Sequence, residues 1–154
     1  MKELGRFRAV MSVVVAAAAL ALAGCETMSG AWDSTKAMFS GNNVTLSGSK
    51  EVPPVTTSAT GGGTITVGDD KSVSGSVKTS GVAATAAHIH IGARGKNGPV
   101  IVPLAKGSDG STWSVAAGAK LTDAQYDAYK AGNLYVNVHS AANKGGEIRG
   151  QLKP

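Results

Sequence analysis

The chain has 154 residues, 21 of them glycine, and only 5% are aromatic. This size and composition fit one small domain with an appendage, and they favour an all-β domain over a helical one. The single cysteine, Cys25, excludes both an intrachain disulfide and a cysteine-rich zinc site. The formal net charge is +5. Removing residues 1–25, with three basic residues and one acidic residue, would leave +3, which argues against a nucleic-acid partner.

Residues 1–25 have the pattern of an export signal. Three basic residues precede an apolar run over 10–23, which is shorter than the about 20 residues that span a bilayer. An uncut signal anchor is the alternative interpretation. The block LAGC at 22–25 resembles a bacterial lipobox. The resemblance implies cleavage before Cys25, acylation of that cysteine and anchoring as a lipoprotein, and Glu26 then favours the outer membrane, facing the periplasm.

Three regions follow from this pattern. Residues 1–25 are a lipoprotein signal peptide, and residues 26–42 are a tether rich in Ser, Gly and Thr, for which simple disorder is the alternative. Residues 43–154 repeat with period two, which predicts a β-domain of about seven or eight short strands. One short helix is expected near 122–131, because a Thr and a Gln stand there at the spacing of a capping box.

The strand around His88 and His90 carries the clearest chemical signal. Side chains alternate along a strand, so Ala87, Ile89 and Ile91 share one face, which we interpret as core, and the two histidines share the other. Imidazoles two residues apart can converge on one metal ion. The alternative is that both rings are polar residues that satisfy neighbouring backbone groups.

The third and last histidine, His139, ends another period-two run. Tyr135 and Asn137 share its face, and cross-strand packing is the alternative to a role beside a metal. If this run forms a hairpin with the following one, His139 lies near Glu147 and Arg149. The Glu147 carboxylate is then a candidate to orient an imidazole, and an exposed Glu147–Arg149 ion pair is the default alternative.

Two connecting segments also have informative compositions. Residues 92–99 form a glycine-rich basic loop, but no helix follows to present free N–H groups to a phosphate, so a flexible β–β connection is favoured. Residues 51–55 contain two prolines, which cannot donate to a strand ladder. An edge crossing or an extended loop is therefore expected there.

Several separated motifs resemble those of the CHRD domain, first described as repeats in chordin and also found singly in bacterial exported proteins. They are EVPPV at 51–55, AHIHIG at 87–92, GPV at 98–100, LYVNVH at 134–139 and GGEIRGQL at 145–152. The resemblance spans about residues 43–153 and implies a β-sandwich. It implies no particular chemistry, since the chordin repeats lie in an extracellular growth-factor antagonist.

A second pattern is similar to that of Cu,Zn superoxide dismutases, which have a Greek-key barrel. VSGSV at 73–77 precedes the His-Ile-His strand, and a strand-end histidine follows later. The similarity implies that His88, His90 and His139 match three copper ligands and that Arg149 matches the arginine that guides the anion. The chain lacks a bridging histidine between His90 and His139, counterparts of the zinc ligands, and the disulfide cysteines.

Together these features predict an all-β Greek-key sandwich or barrel on a lipid-anchored envelope protein. The first functional hypothesis is a non-enzymatic binding module for a protein, a glycan or a Cu or Zn ion held by His88, His90 and His139. Tyr135, Asn137, Glu147 and Arg149 are candidates to support those ligands. The second hypothesis is a copper redox enzyme of superoxide dismutase type. No nucleophile–base arrangement indicates a hydrolase.

Overall fold

A computed structural model of the protein describes residues 42–154. The predicted export signal, the acylation of Cys25 and all but the last residue of the tether lie outside this range. Within residues 42–154, no helix has the length and apolar character needed to cross a membrane.

Eight strands, one α-helix and one short 3-10 helix (Gly48–Lys50) make up the described part of the chain. The strands are β1 (Asn42–Ser47), β2 (Thr60–Val67), β3 (Val73–Ser80), β4 (Ala84–Ile91), β5 (Val100–Lys106), β6 (Thr112–Val115), β7 (Leu134–Ser140) and β8 (Ile148–Gln151). The helix, α1, spans Asp123–Lys130. The predicted all-β class with one short helix is therefore confirmed. Residues 51–59, with their two prolines, form no strand.

The strands close into an antiparallel barrel in the order β1-β2-β3-β6-β5-β4-β7-β8. Successive hairpins join β4, β5 and β6, and the chain then returns through α1 to place β7 beside β4. This is the Greek-key connection that the sequence predicted. It brings β7 next to the strand that carries His88 and His90.

Local sequence sets the limits of α1. The Thr122 hydroxyl accepts a hydrogen bond from the Gln125 backbone N–H (3.3 Å), and the Gln125 side chain accepts one from the Thr122 N–H (2.9 Å). Gly132 adopts a φ of +72° just beyond the last turn, which glycine does at little cost. The helix is one residue shorter at each end than the predicted range of 122–131.

The barrel interior is apolar and explains the alternation along β4 and β7. Ala87 and Ile89 are 1% exposed, and they lie beside Val136 and Val138, which are fully buried. The neighbouring residues on the same two strands therefore point out of the barrel, and these include all three histidines. The outer face of β4, β7 and β8 is where the polar side chains collect.

This outer face is covered rather than open to solvent. Glu51, Asn137 and Arg149 are at most 5% exposed, although all three lie outside the apolar interior. The expected exposed ion pair between Glu147 and Arg149 is wrong, because both are buried and no ion pair joins them in residues 42–154. Alternation showed which face these side chains occupy, but not that loops cover it.

Candidate metal centre

Strand register brings the three histidines together. On β4 and β7, Ala86 pairs with His139 and His88 with Asn137. The outward-facing rings of His88 and His139 are thus diagonal neighbours across the two strands, at a distance that side chains can bridge. His90 follows on β4, where the register with β5 shifts between Ile89 and His90.

The three imidazoles form a compact group, here called the histidine cluster (His88, His90, His139). Ring centroids lie 5.0 Å apart for His88 and His139, 5.6 Å for His88 and His90, and 5.7 Å for His90 and His139. One nitrogen from each ring lies within 4.8 Å of the others. Nitrogens bound to one metal at about 2.0–2.1 Å stand roughly 3.5 Å apart, so small side-chain rotations suffice to reach that spacing.

Backbone carbonyls fix the tautomers of two of these rings. The Nδ1 of His90 lies 2.9 Å from the Gly98 carbonyl, and the Nδ1 of His139 lies 3.0 Å from the Lys144 carbonyl. A carbonyl only accepts, so each Nδ1 carries the proton and each Nε2 keeps its lone pair. Metal-ligating histidines commonly show this arrangement, in which the second ring nitrogen donates to a fixed acceptor.

The Nε2 atoms of His139 and His90 differ in whether they accept a hydrogen bond. The Nε2 of His139 accepts from the Nδ1 of His88 at 3.1 Å. The Nε2 of His90 is buried and has no hydrogen-bond partner among the described residues. A buried polar atom without a partner costs roughly 1–3 kcal/mol. A ligand at this position would relieve that cost.

His88 and His90 are held in the neutral form. Burial lowers the pKa of His88, and the nearby His139 and His90 lower it further. Burial also lowers the pKa of His90, partly offset by its bond to the Gly98 carbonyl. Neutral imidazole is the form that binds metal. His88 and His90 therefore need not release a proton before they bind a metal ion near neutral pH.

Tyr135 and Arg149 support the loop that fixes His90. The Tyr135 ring stacks on His90 with centroids 4.9 Å apart, and its hydroxyl accepts from the Gly98 N–H at 3.1 Å. The Arg149 guanidinium lies 3.4 Å from the centre of the Tyr135 ring. It donates to the carbonyls of Lys96 (2.8 Å) and Ala93 (3.3 Å). Both side chains therefore hold the 92–99 loop against the barrel.

Asn137 and Glu147 form hydrogen bonds with segments other than the 92–99 loop. The Asn137 amide donates to the Gly145 carbonyl at 3.3 Å, next to the residue whose carbonyl fixes His139. Glu147 accepts from the Thr57 hydroxyl at 2.9 Å, and no hydrogen bond joins it to a histidine in residues 42–154. The orienting role proposed for the Glu147 carboxylate is taken by the two backbone carbonyls.

Comparison with known protein families matches residues 43–152 to the CHRD domain. The chain belongs to the CHRD domain family. Comparison with curated proteins finds no match, and comparison with solved structures finds none.

The CHRD domain also buries a carboxyl group that sequence reasoning missed. Glu51 is 5% exposed, and its Oε1 and the Oδ1 of Asn137 have no hydrogen-bond partner among the described residues. Burial raises the pKa of Glu51 to about 7, although the charge of Arg149 opposes this. A protonated carboxyl would supply the donor that these two acceptor atoms lack. The one sequence signal was the place of Glu51 in the EVPPV motif at 51–55.

A glycine makes room for this carboxyl in the CHRD domain. Gly146 has a φ of +140°, and a Cβ there would lie 2.7 Å from the Oε1 of Glu51. Any side chain at this position would collide with the buried pair Glu51–Asn137. The second glycine of the GGEIRGQL motif, which was one mark of the family, therefore has a packing reason here.

Proposed function

We propose that this CHRD domain is a binding module that holds one Cu or Zn ion through His88, His90 and His139. The observation that carries the proposal is the buried, unpartnered Nε2 of His90 beside two further imidazoles, with ligand nitrogens within 4.8 Å of one another. Three imidazoles leave one coordination position for water or a ligand, which suits Cu or Zn.

The immediate surroundings support a metal rather than a purely structural cluster. In His90 and His139 the Nδ1–H donates to a backbone carbonyl, so the Nε2 lone pair points away from that carbonyl. The Nε2 of His139 contacts only another imidazole. His88 can shift its proton from Nδ1 to Nε2 and remain neutral, which frees a third lone pair without changing the net charge. The three imidazoles therefore form a ligand set without a carboxylate.

The test is metal binding by full-length protein purified without a histidine tag. Competition titration with a chromophoric chelator is expected to give one Cu or Zn ion per chain. His90→Ala, His88→Ala and His139→Ala should each weaken binding at least about tenfold, since removing even an outer-sphere partner costs 10–100-fold. Affinity should also fall as the pH drops below about 6.5, because protons then compete for the imidazoles.

Ser74→Ala is the control, because Ser74 is exposed on β3 and outside the cluster. Its metal affinity should equal that of the unaltered protein. Failure of the unaltered protein to bind either metal stoichiometrically, or equal affinity in all three histidine variants, would overturn the metal proposal.

A copper redox enzyme of dismutase type is the second candidate, favoured by the three converging imidazoles. Arg149 weighs against it. That residue is 1% exposed and donates to loop oxygens, which leaves it unsuited to guiding an anion from solvent. Superoxide consumption by copper-loaded protein that is lost in His90→Ala would favour the enzyme over the binding module.

We further propose that the protein is exported and acylated at Cys25, and that it stays anchored at the outer membrane, facing the periplasm. The LAGC block at 22–25 supports this. Several acyl chains, at about 0.8 kcal/mol for each buried CH₂, anchor a protein firmly. The module would then act on a protein, glycan or ion outside the cytoplasm.

Cys25→Ser is expected to move the protein from the membrane fraction to the soluble or uncleaved pool and to abolish the mass increase from acylation. Fractionation and intact-mass measurement check this. Unchanged mass and unchanged membrane association in the variant would contradict the lipobox interpretation.

A further inference from the structure

Two adjoining cavities lie over the outer face of β1 and β8, in a part of the surface that the histidine cluster does not use. Their volumes are about 290 and 270 Å³, and they share Lys50, Arg94 and Gln151 in their walls. Arg149 borders the first cavity and Lys153 the second. We call the two together the basic cleft.

The basic cleft has an excess of positive charge that the protein does not neutralise. Among residues 42–154, the three ion pairs involve Lys71, Lys120 and Lys130, so none of the four cationic side chains of the cleft has a carboxylate partner. The hydrogen bonds of Arg149 go to neutral oxygens of Ala93, Lys96, Asn97 and Gln151.

Glu51 is the one acidic side chain that lines the cleft. Burial raises its pKa to about 7, so it is only partly ionised at neutral pH. Clefts lined by charge of one sign concentrate ligands of the opposite sign.

The Lys50 ammonium and the loop that carries Arg94 are held in place by hydrogen bonds. The Nζ of Lys50 donates to the Thr45 carbonyl at 2.6 Å, which keeps the ammonium over β1. Arg94 belongs to the 92–99 loop, which Arg149 fixes from below and whose Asn97 amide donates to the Val52 carbonyl at 2.7 Å. Preorganised donors lose less entropy when a ligand binds.

The remaining walls are polar and match a hydroxylated ligand. Asn43, Thr45, Ser49 and Gln151 supply hydroxyl and amide groups, and Val52 is the single apolar side chain in either wall. Each cavity is larger than one phosphate or carboxylate group, so it has room for a polar body attached to the charged group.

We infer that the basic cleft binds an acidic sugar, with its phosphate or carboxylate group between Arg94 and Lys50 and its hydroxyls against the polar walls. Arginine presents a planar fork that pairs with either oxyanion through two parallel hydrogen bonds. No histidine of the cluster lines the cleft, so this site does not require a bound metal.

Calorimetric titration of the full-length protein tests this, in a non-ionic detergent, after metal is removed with EDTA and the EDTA is dialysed away. The probes are glucose 6-phosphate, glucuronate and uncharged glucose. We expect one or both charged sugars to bind at about millimolar concentration and glucose not to bind, with affinity that falls as salt is added. Comparing the two charged sugars decides between phosphate and carboxylate.

Arg94→Gln and Lys50→Gln should each weaken binding of the charged sugar about tenfold, because each removes a hydrogen bond to a charged group. Lys78→Gln, at an exposed position on β3, removes the same charge elsewhere and should leave affinity unchanged. The inference is overturned if neither charged sugar binds, if glucose binds equally well, or if Lys78→Gln weakens binding as much as Arg94→Gln. Because the protein is metal-free in this titration, failure here leaves the metal proposal intact.

Discussion

Arg149→Ala is expected to lower the free energy of unfolding by about 3 kcal/mol, because it removes a buried guanidinium and the hydrogen bonds that it donates. Arg149 is 1% exposed and donates to two carbonyls of the 92–99 loop and to the side chain of Asn97. Water can reach part of this loop, because Ala93, Lys96 and Asn97 are exposed. The expected cost is therefore that of one or two hydrogen bonds to a charged group, at about 1.5–3 kcal/mol each. The contact of Arg149 with the Tyr135 ring, 3.4 Å from the centroid, is lost as well.

Equilibrium unfolding in urea measures this change, and two further variants show its cause. Arg149→Lys keeps the charge but not the planar fork, so it should recover only part of the loss. Arg94→Ala removes an exposed arginine from the same loop and should change stability by less than about 0.5 kcal/mol. A loss below about 1 kcal/mol for Arg149→Ala would show that Arg149 does not fasten the loop.

Glu51→Gln is expected to stabilise the protein at neutral and alkaline pH but not in acid. Burial raises the folded-state pKa of Glu51 from 4.5 to about 7. The folded state then binds a proton more tightly than the unfolded state, so this group costs stability as pH rises from 4.5 to 7. At 1.36 kcal/mol per pKa unit, the cost reaches about 3 kcal/mol above pH 7. Glutamine resembles the protonated carboxyl and carries no charge to bury.

The quantity to measure is the difference in unfolding free energy between Glu51→Gln and the unaltered protein, from urea titrations between pH 4.5 and 8. Burial lowers the pKa of both His88 and His90, so their contribution to stability rises with pH toward 6.5. That trend has the opposite sign, but it is present in both proteins and cancels in the difference. A difference that does not change with pH would contradict the raised pKa of Glu51.

Glu147→Gln is the matched control, because its expected sign is reversed. Hydrogen bonds from Ser140 and Thr57 lower the pKa of Glu147. The ionised form therefore stabilises the folded state above pH 4.5, and this contribution is lost as pH falls through the lowered pKa. Glu147→Gln should be less stable than the unaltered protein at neutral pH, with a deficit that shrinks in acid.

The sequence by itself determined the class of the fold and the face on which each residue lies. Alternation on β4 separated buried Ala87 and Ile89 from the histidines, because successive side chains of a strand point to opposite sides. The capping box at Thr122 and Gln125 located α1 to within a residue at each end. These are local rules, and local sequence is enough to apply them.

Only the tertiary structure decided what meets on the outer face. His139 lies 51 residues beyond His88 and reaches it only because β7 returns to pair with β4. Strand periodicity contains no information about which distant strand becomes a neighbour. Nor does it show what covers a face, which is why Glu147 and Arg149 were expected to be exposed.

The carbonyls that orient the histidines were beyond sequence reasoning for the same physical reason. Those of Gly98 and Lys144 belong to loops, and every residue has a backbone carbonyl, so residue type does not distinguish them. Glu51 is a further case: its side chain is ordinary at an exposed position and becomes unusual only when loops bury it beside Asn137 and Arg149. Burial depends on the packing of distant segments, which only the folded chain brings together.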